Sequence, residues 1–242
     1  MNLSSWGLYP NKKNTVFKFS KKEELRKILS NHNQLIAYGN GRSYGDSAIS
    51  SKIICTINNN SFIDFNEDTG LLHVNSGILL TKILEEFTPK GWFLKVSPGT
   101  KYITVGGAIA SDVHGKNHST EGCFSECVKE FDIMLANKNI VNCSKNIKPD
   151  LFRATCGGQG LTGVILTAKI YLKKINSQYI DQTTIKTKNI DDTLSVFRKL
   201  NKKQYSVAWL DCNAKKNKLG RSIITYGDFR NDGLLNYKKK NS

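Results

Sequence analysis

The segment Val96–His118 combines side chains that could do chemistry with backbone that could lie against a ligand. His114 and Lys116 can exchange or donate protons beside a His-Gly step. A turn at Pro98-Gly99 and a pair at Gly106-Gly107 lack the side chains that would hold a large flat ligand off the main chain. Because backbone amides at a turn or helix start can bind phosphate oxygens, the segment predicts a site for a flat, phosphate-bearing ligand.

A second glycine-rich turn, Gly39–Asp46, follows the apolar run Leu35–Tyr38 and predicts a phosphate-binding turn after a strand. A Rossmann fingerprint needs G-x-G-x-x-G opening a helix. Here the spacing is G-x-G-x-x-x-G, and the next apolar run, Ile53–Ile57, is typical of a strand. A P-loop is excluded because Asn117 stands where Ser or Thr should hold Mg²⁺ and Ala110 stands where a glycine is needed.

A third glycine cluster, Cys156–Gly163, leads into a predicted buried strand, Val164–Tyr171. Any one of the three glycine segments alone is typical of a surface turn. Their joint occurrence in one chain, each beside specific polar neighbours, favours a shared ligand.

Together these segments resemble the FAD-binding domain, of the PCMH type, of the vanillyl-alcohol-oxidase flavoproteins, and most closely the decaprenylphosphoryl-ribose 2'-oxidase group. The resemblance is dense before Tyr171 and includes Trp6-Gly7 and the strand around Trp209. It implies that the cofactor is FAD. The residues that it implies for FAD binding are Gly39, Asn40, Gly41, Arg42, Ser43, Tyr44, Gly45, Pro98, Gly99, Thr100, Thr104, Val105, Gly106, Gly107, Ser111, Val113, His114, Gly115, Gly158, Gly160, Gly163, Val164 and Ile165.

The resemblance also implies a reaction, in which a secondary alcohol of a sugar, such as a polyprenyl-phosphate pentose of cell-wall biosynthesis, is oxidised with hydride transfer to flavin N5. His114 and Lys116 are the implied catalytic residues. Asn117 at the pocket mouth, with Val207 and Trp209, is implied for the substrate, although core packing of an alternating strand is an equal alternative for Trp209. Relatives with covalent flavin carry His in the first turn, whereas this turn has neither His nor Cys, so non-covalent FAD is expected.

Element patterns predict an α+β fold. Helices are expected at 21–30 and 79–87, with strands near 35, 53, 62 and 71, giving an FAD-binding domain over 1–175. A strand at 178–186, a helix at 190–200 and strands at 206–212 and 222–226 predict a sheet floor with helical cover, the start of a partial substrate-binding domain over 176–242. The expectation is an N-terminal part of a longer enzyme. The alternatives are another sugar or alditol oxidase, or an FAD-binding subunit that is inactive without a second polypeptide.

The net charge of +16 is concentrated late in the chain, where residues 171–242 hold 16 Lys or Arg against 6 Asp and no Glu. Such a balance favours an anionic partner, here a lipid-linked sugar phosphate, and is compatible with peripheral membrane contact. A global bias toward Lys, Asn and Ile is the alternative. Nucleic-acid binding is not expected, because no recognition module or interleaving of basic and aromatic residues is present.

The six cysteines show neither C-x-x-C pairs nor the density of a disulfide scaffold, which favours thiols in a reducing cytoplasm. Neither a secretory signal nor an apolar run of 18 residues occurs in the sequence. His114 and His118 have the spacing of a helical metal pair, but Gly115 and Asn117 are poor helix formers and the Glu of H-E-x-x-H is missing. No metal site is predicted.

Overall fold

The structure is a computed structural model, and it describes residues 3–200 and 202–235. Its helices are α1 Lys22–Asn31, α2 Leu80–Phe87, α3 Val105–Ala110, α4 His118–Glu121, α5 Pro149–Thr155 and α6 Ile190–Lys199. Its strands are β1 Thr15–Lys18, β2 Ile36–Tyr38, β3 Lys52–Cys55, β4 Phe62–Asn66, β5 Leu71–Asn75, β6 Trp92–Leu94, β7 Val128–Met134, β8 Ile140–Ser144, β9 Val164–Lys174, β10 Ile180–Lys186, β11 Tyr205–Leu210 and β12 Ser222–Phe229.

The described chain forms two compact units, each assembled from separate stretches of sequence. The first contains the residues through Glu85 together with Thr100–Val113 and Phe124–Leu172. The second contains Glu86–Gly99, His114–Cys123 and the residues from Lys173 onward. The predicted domain boundary after residue 175 stays a prediction, because a compact unit is defined by contacts and not by independent folding.

The first unit has two sheets. A small parallel sheet has the order β1-β3-β2. The strands β4-β5-β9-β7-β8 form an antiparallel sheet in that order. Buried side chains from the first helix and from both sheets share one core cluster, namely Phe19, Leu25, Ile54, Met134, Val164 and Leu166. The first glycine turn leaves β2 at Tyr38 and leads to β3, which pairs in parallel with β2. Among the described residues, this turn therefore leads from a strand to a strand and not to a helix.

The second unit is built on the antiparallel sheet β10-β12-β11. Helix α6 begins at its cap Asn189, whose side chain accepts a hydrogen bond from Asp192 N at 3.0 Å. Buried hydroxyls attach the helix to the sheet, since Thr193 Oγ1 lies 2.7 Å from Thr187 Oγ1 and 3.0 Å from Ser222 Oγ. The structure thus has the predicted sheet with helical cover.

The α+β architecture is confirmed, and the predicted helices and strands are found within one or two residues at most ends. The sequence prediction did not include β1, β6, β7, β8, α4 or α5. Among the residues that the structure describes, no helix is both long and apolar enough to cross a membrane.

Candidate cofactor site

The turn Gly39–Asp46 is irregular backbone whose amides are available to a ligand. In the described part of the chain, the amides of residues 40 to 45 donate no hydrogen bond to another protein group. A Cβ added at Gly45 would meet no heavy atom within 4 Å, so the outer part of the turn is open. A run of consecutive unpaired amides on an open turn is suited to phosphate oxygens.

Gly41 gives this turn its shape. Its φ of +64° is in the left-handed region that favours glycine. A Cβ there would lie 2.1 Å from Tyr38 Oη and 2.6 Å from Ser4 O. Tyr38 Oη donates to that same carbonyl at 2.8 Å, and burial raises the pKa of this phenol. The base of the turn is thus fixed by a buried tyrosine.

The second segment starts α3, and its amides are already bonded within the protein. Thr104 Oγ1 accepts from Gly107 N at 3.0 Å and caps the helix. Val105 N donates to Ile78 O at 2.9 Å, and Gly106 N donates to Ser76 O at 2.8 Å. The predicted use of this helix start as an amide donor for phosphate was therefore wrong. Close approach of a ligand to the glycine backbone remains a prediction.

The first two glycine segments lie against each other. A Cβ at Gly39 would be 2.5 Å from Thr104 Oγ1, so the turn can approach the helix start only without a side chain. Asn40 Nδ2 donates to Tyr102 O at 2.7 Å. This asparagine therefore connects the turn to the segment that precedes the helix.

The third glycine cluster, Cys156–Gly163, lies beside helix α3 and strand β2 in the first unit. Gly157 N donates to Ile109 O at 3.0 Å, and Gln159 N donates to Ala110 O at 2.8 Å, which places the cluster at the end of α3. A Cβ at Gly160 would lie 3.7 to 3.9 Å from atoms of Ile36 and Ala37 on β2. The three glycine segments are therefore neighbours, as a shared ligand requires.

Several glycines of the third cluster are explained by packing. A Cβ at Gly158 would lie 2.1 Å from Ala154 O, and one at Gly163 would lie 2.5 Å from Met134 O. Val164 belongs to the core cluster of the first unit, and Ile165 is also buried. The Val164 side chain thus packs in that core, and a cofactor contact of Val164 or Ile165 stays a prediction.

The residues of the first unit fit FAD in two respects. The open amides of residues 40 to 45 are donors for a pyrophosphate, and Arg42 adds a cation to the same turn. The neighbouring glycine segments allow close approach of a flat ring system to the backbone. Within this turn, as the sequence shows, no His or Cys could form a covalent bond to flavin.

Of the other predicted site residues, Thr100, Ser111 and Val113 belong to the first unit, and the rest lie in the second unit, where segments 97–98 and 114–117 and strand β11 are bonded together. Pro98 and Gly115 are bridge partners, and a Cβ at Gly115 would lie 1.7 Å from Ser97 O. Lys116 O accepts from Ser206 N at 2.8 Å, which joins this segment to β11. The exposed rings of His114 and His118 stand edge to face with centroids 5.1 Å apart.

Asn117 is placed differently from the prediction. Its side chain is fully buried, with 0% exposure. Asn117 Oδ1 accepts from Ser97 N at 3.3 Å, and Nδ2 donates to Lys95 O at 2.8 Å. The predicted place at a pocket mouth was wrong, because both amide atoms are used to attach the segment 114–117 to the segment 95–98.

Strand β11 carries the predicted substrate residues on one face, since Val207 and Trp209 are two positions apart. Trp209 is 66% exposed. Core packing, the alternative interpretation of this tryptophan, is therefore wrong for the described structure. A contact of these side chains with substrate stays a prediction.

Lys173 is a charged residue of the second unit that the sequence analysis missed. Its Nζ lies 4.9 Å from the Tyr205 ring centroid, 5.4 Å from that of Phe229 and 3.9 Å from Glu121 Oε1. Tyr205 Oη in turn lies 3.4 Å from Ser97 Oγ. No sequence signal identifies this lysine, because its partners are distant in the chain.

The first unit also contains a cavity of about 350 Å³ that does not include the first glycine turn. Its charged groups are paired, since Lys145 Nζ lies 2.7 Å from Glu126 Oε2 and Asp112 accepts from Ser125 N at 2.8 Å. Burial, followed by the nearby Asp112 carboxylate, raises the pKa of the Cys156 thiol to about 12. The lining residues are Asp112, Ser125, Glu126, Lys145, Pro149, Phe152, Arg153 and Cys156.

Comparison with known proteins finds oxidases that are similar to large parts of this chain. A decaprenylphosphoryl-beta-D-ribose oxidase of Mycolicibacterium smegmatis is 36% identical over 202 residues, covering 80% of this chain and 43% of that protein. A putative D-arabinono-1,4-lactone oxidase of Neurospora crassa is 31% identical over 59% of this chain and 26% of its own length. The L-gulonolactone oxidase of Mus musculus is 27% identical over 61% of this chain and 34% of its own length.

This chain therefore spans less than half the length of the curated relatives that it matches. Residues 15–144 match the FAD binding domain family. Because that match covers more than half of the 242 residues, and the relatives include oxidases of the vanillyl-alcohol-oxidase type, the chain belongs to the FAD binding domain family of that type and its cofactor is FAD.

Proposed function

We propose that this chain is the flavin-binding part of an oxidase that acts on a secondary alcohol of a lipid-linked sugar, a polyprenyl-phosphate pentose oxidised at its 2' position. The observation that carries the proposal is the open turn of residues 40 to 45, whose unpaired amides are donors for the pyrophosphate of FAD. The choice of substrate is supported by the 36% identity to the mycobacterial decaprenylphosphoryl-ribose oxidase.

The proposed cofactor contacts are mostly backbone. The turn from Gly39 to Gly45 binds the pyrophosphate, and the glycines of the segments around Gly106 and Gly160 let the backbone lie close to the rest of the cofactor. Because the turn has neither His nor Cys, binding is non-covalent. When bound, FAD supplies a two-electron acceptor that takes the hydride of the carbinol carbon.

The proposed chemistry of the chain's own residues is proton transfer and orientation. His114 accepts the hydroxyl proton as the carbinol C–H bond breaks, so that the alcohol becomes a ketone. Lys116, which is exposed, donates a hydrogen bond to the substrate oxygen or phosphate. Val207 and Trp209 provide an apolar surface for the sugar and the start of its lipid. The basic stretch 171–242 favours the phosphate.

Asn117 and Lys173 are proposed as positioning residues for this chemistry. Asn117 fixes the segment that carries His114 and Lys116 through two hydrogen bonds of its amide. Lys173 lies between Glu121 and the ring of Tyr205, which is on the strand that carries Trp209. Both residues therefore act on the arrangement of other side chains.

The lactone oxidases among the relatives favour a second candidate, another sugar or alditol oxidase. A third candidate is an FAD-binding subunit that turns over substrate only together with a second polypeptide, so that this chain alone binds FAD without turnover. Substrate tests separate these functions. Turnover is measured with each of three substrates, a polyprenyl-phosphate pentose, an aldonolactone and an alditol. A dye is the electron acceptor in every assay.

The first experiment is the absorbance spectrum of the purified chain, followed by acid precipitation. Yellow protein that releases FAD on precipitation supports the proposal, and flavin that stays with the pellet contradicts non-covalent binding. In the active form of the enzyme, His114→Gln should lower turnover by about 100-fold. His118→Gln is the matched control, because this second exposed imidazole stands beside the first. Equal losses in both variants would contradict the role of His114.

A further inference from the structure

Three large apolar side chains within four consecutive positions of the chain are exposed on the first unit. Trp6, Leu8 and Tyr9 are 59%, 73% and 81% exposed. Single exposed apolar residues are ordinary, but a cluster of this kind marks an interaction site. The residues belong to one segment, 3–14, which we call the aromatic loop.

The aromatic loop is held at its ends and near its middle. Asn14, which is buried, accepts from Leu3 N at 2.7 Å and donates to Ser50 O at 2.8 Å, so one side chain closes the loop. Trp6 N donates to Ser43 O at 3.0 Å. Leu8 N donates to Ser5 O at 3.1 Å across a tight turn. The apolar side chains are thus presented outward by an ordered backbone.

The aromatic loop and the neighbouring glycine turn also carry cations. Lys12 and Lys13 are exposed, and the Arg42 guanidinium lies 5.7 Å from the Trp6 ring centroid. The loop itself contains neither Asp nor Glu. Asp46, exposed in the neighbouring glycine turn, is an acidic side chain of that region. The loop is therefore basic and apolar at once.

This combination favours a lipid surface over a protein surface. Trp and Tyr are enriched where membranes meet water, because each ring has an apolar body and a polar atom. Lysines bind the negative surface of anionic lipids, whereas lysine is depleted in protein interfaces. A short loop with a leucine at its turn can enter the headgroup region without crossing the bilayer.

We propose that the aromatic loop binds the surface of an anionic phospholipid bilayer. Trp6, Leu8 and Tyr9 enter the headgroup region, and Lys12 and Lys13 contact lipid phosphates. The proposal does not depend on flavin binding or on the proposed reaction. It adds to them a means by which the protein meets a lipid-linked substrate at the membrane surface.

The test is co-sedimentation of the full chain with vesicles of phosphatidylcholine alone or mixed with phosphatidylglycerol. We expect binding to the mixed vesicles that weakens as salt is added. The double variant Leu8→Glu/Tyr9→Glu should lower the partition coefficient at least about tenfold. Lys12→Glu/Lys13→Glu should lower it by at least about 30-fold at low salt, since the loss of each lysine near such a surface is about a fivefold change and the added carboxylates are repelled.

Matched controls carry the same changes elsewhere in the first unit. Ile147→Glu removes an apolar side chain that is 51% exposed, and Lys22→Glu/Lys27→Glu reverses two exposed charges on α1. Both should bind vesicles within about twofold of the unchanged chain. Thermal unfolding and FAD content are measured for every variant, so that a folding defect or a failure to bind flavin is separated from a loss of lipid binding.

Three outcomes would overturn the proposal. The loop variants could bind vesicles as well as the unchanged chain. The control charge reversal could reduce binding as much as the loop reversal, which would assign binding to the net charge of +16 alone. Sedimentation velocity could show a dimer that Leu8→Glu/Tyr9→Glu dissociates, which would assign the loop to contact between copies.

Discussion

The turn Gly39–Asp46 and the helix start Thr104–Gly107 are both rich in glycine, but their amides differ. Those of residues 40 to 45 have no protein partner among the described residues, whereas Val105, Gly106 and Gly107 donate to protein oxygens. The difference shows that glycine serves two physical needs here. In the turn it leaves amides open for a ligand, and at the helix start it lets backbone pack on backbone.

The largest effect on stability is expected at Gly41, which belongs to the open turn and also packs closely against Tyr38 and Ser4. Gly41→Ala would force a side chain into the left-handed region and against Tyr38 Oη and Ser4 O. Strain and overpacking together should cost about 3 kcal/mol in the free energy of unfolding. Urea unfolding of the flavin-free chain measures this. A variant as stable as the unchanged chain would mean that the turn forms without glycine at this position. The proposed difference between the turn and the helix start would then be contradicted.

A smaller loss is expected at the helix start. Thr104→Val removes the hydroxyl that caps Gly107 N while keeping the shape of the side chain, and should cost about 1 to 2 kcal/mol. Thr104→Ser, which keeps the hydroxyl, is the control. Because the cap acts within the protein, the loss in unfolding free energy should be the same with and without FAD. A loss seen only with FAD would show that this hydroxyl serves the cofactor.

Whether a helix or strand could be predicted from the sequence depends on whether local or long-range contacts stabilise it. Helix α1 and strand β2 follow from local periodicity and were predicted. Strand β7 was missed, because Lys129, Glu130 and Asp132 interrupt its apolar residues and only pairing with β8 and β9 stabilises it. Helix α5 was also missed, since it is a short helix, Pro149–Thr155, that packs against β8.

The same limit applies to the candidate site. The glycine segments stood out because residue type alone restricts backbone. Asn117 did not stand out, because asparagine is typically an exposed polar residue. Its burial is explained only by its hydrogen bonds to Lys95 and Ser97, some 20 residues earlier in the chain. Which glycine amides are open could not be read from the sequence either, since the acceptors Ser76 O and Ile78 O belong to another segment.

Gly45 allows ligand binding to be changed without changing stability. A Cβ there meets nothing within 4 Å, so Gly45→Ala should alter the unfolding free energy of the flavin-free chain by about 0.5 kcal/mol or less. If the open turn holds the FAD pyrophosphate, the added methyl group stands in the ligand's space. The affinity for FAD should then fall about tenfold, or about 1.4 kcal/mol, by titration calorimetry. Unchanged affinity would place the pyrophosphate elsewhere.

The smallest effect concerns Cys156, which precedes the third glycine cluster. Its thiol pKa is raised to about 12, chiefly by burial, so the folded protein holds this proton more tightly than the unfolded chain. At pH 8 almost no reactive thiolate is present, and iodoacetamide should modify the exposed Cys212 long before Cys156. Below pH 9 this thiol therefore contributes stability to the folded state, and that contribution is lost as pH rises toward 12. The rates at which iodoacetamide modifies Cys156 and Cys212 in the folded protein are measured by mass spectrometry of peptides. Fast modification of Cys156 at pH 8 would show that the end of α3 opens, and that the third glycine cluster is less firmly packed on the helix than its hydrogen bonds to Ile109 O and Ala110 O require.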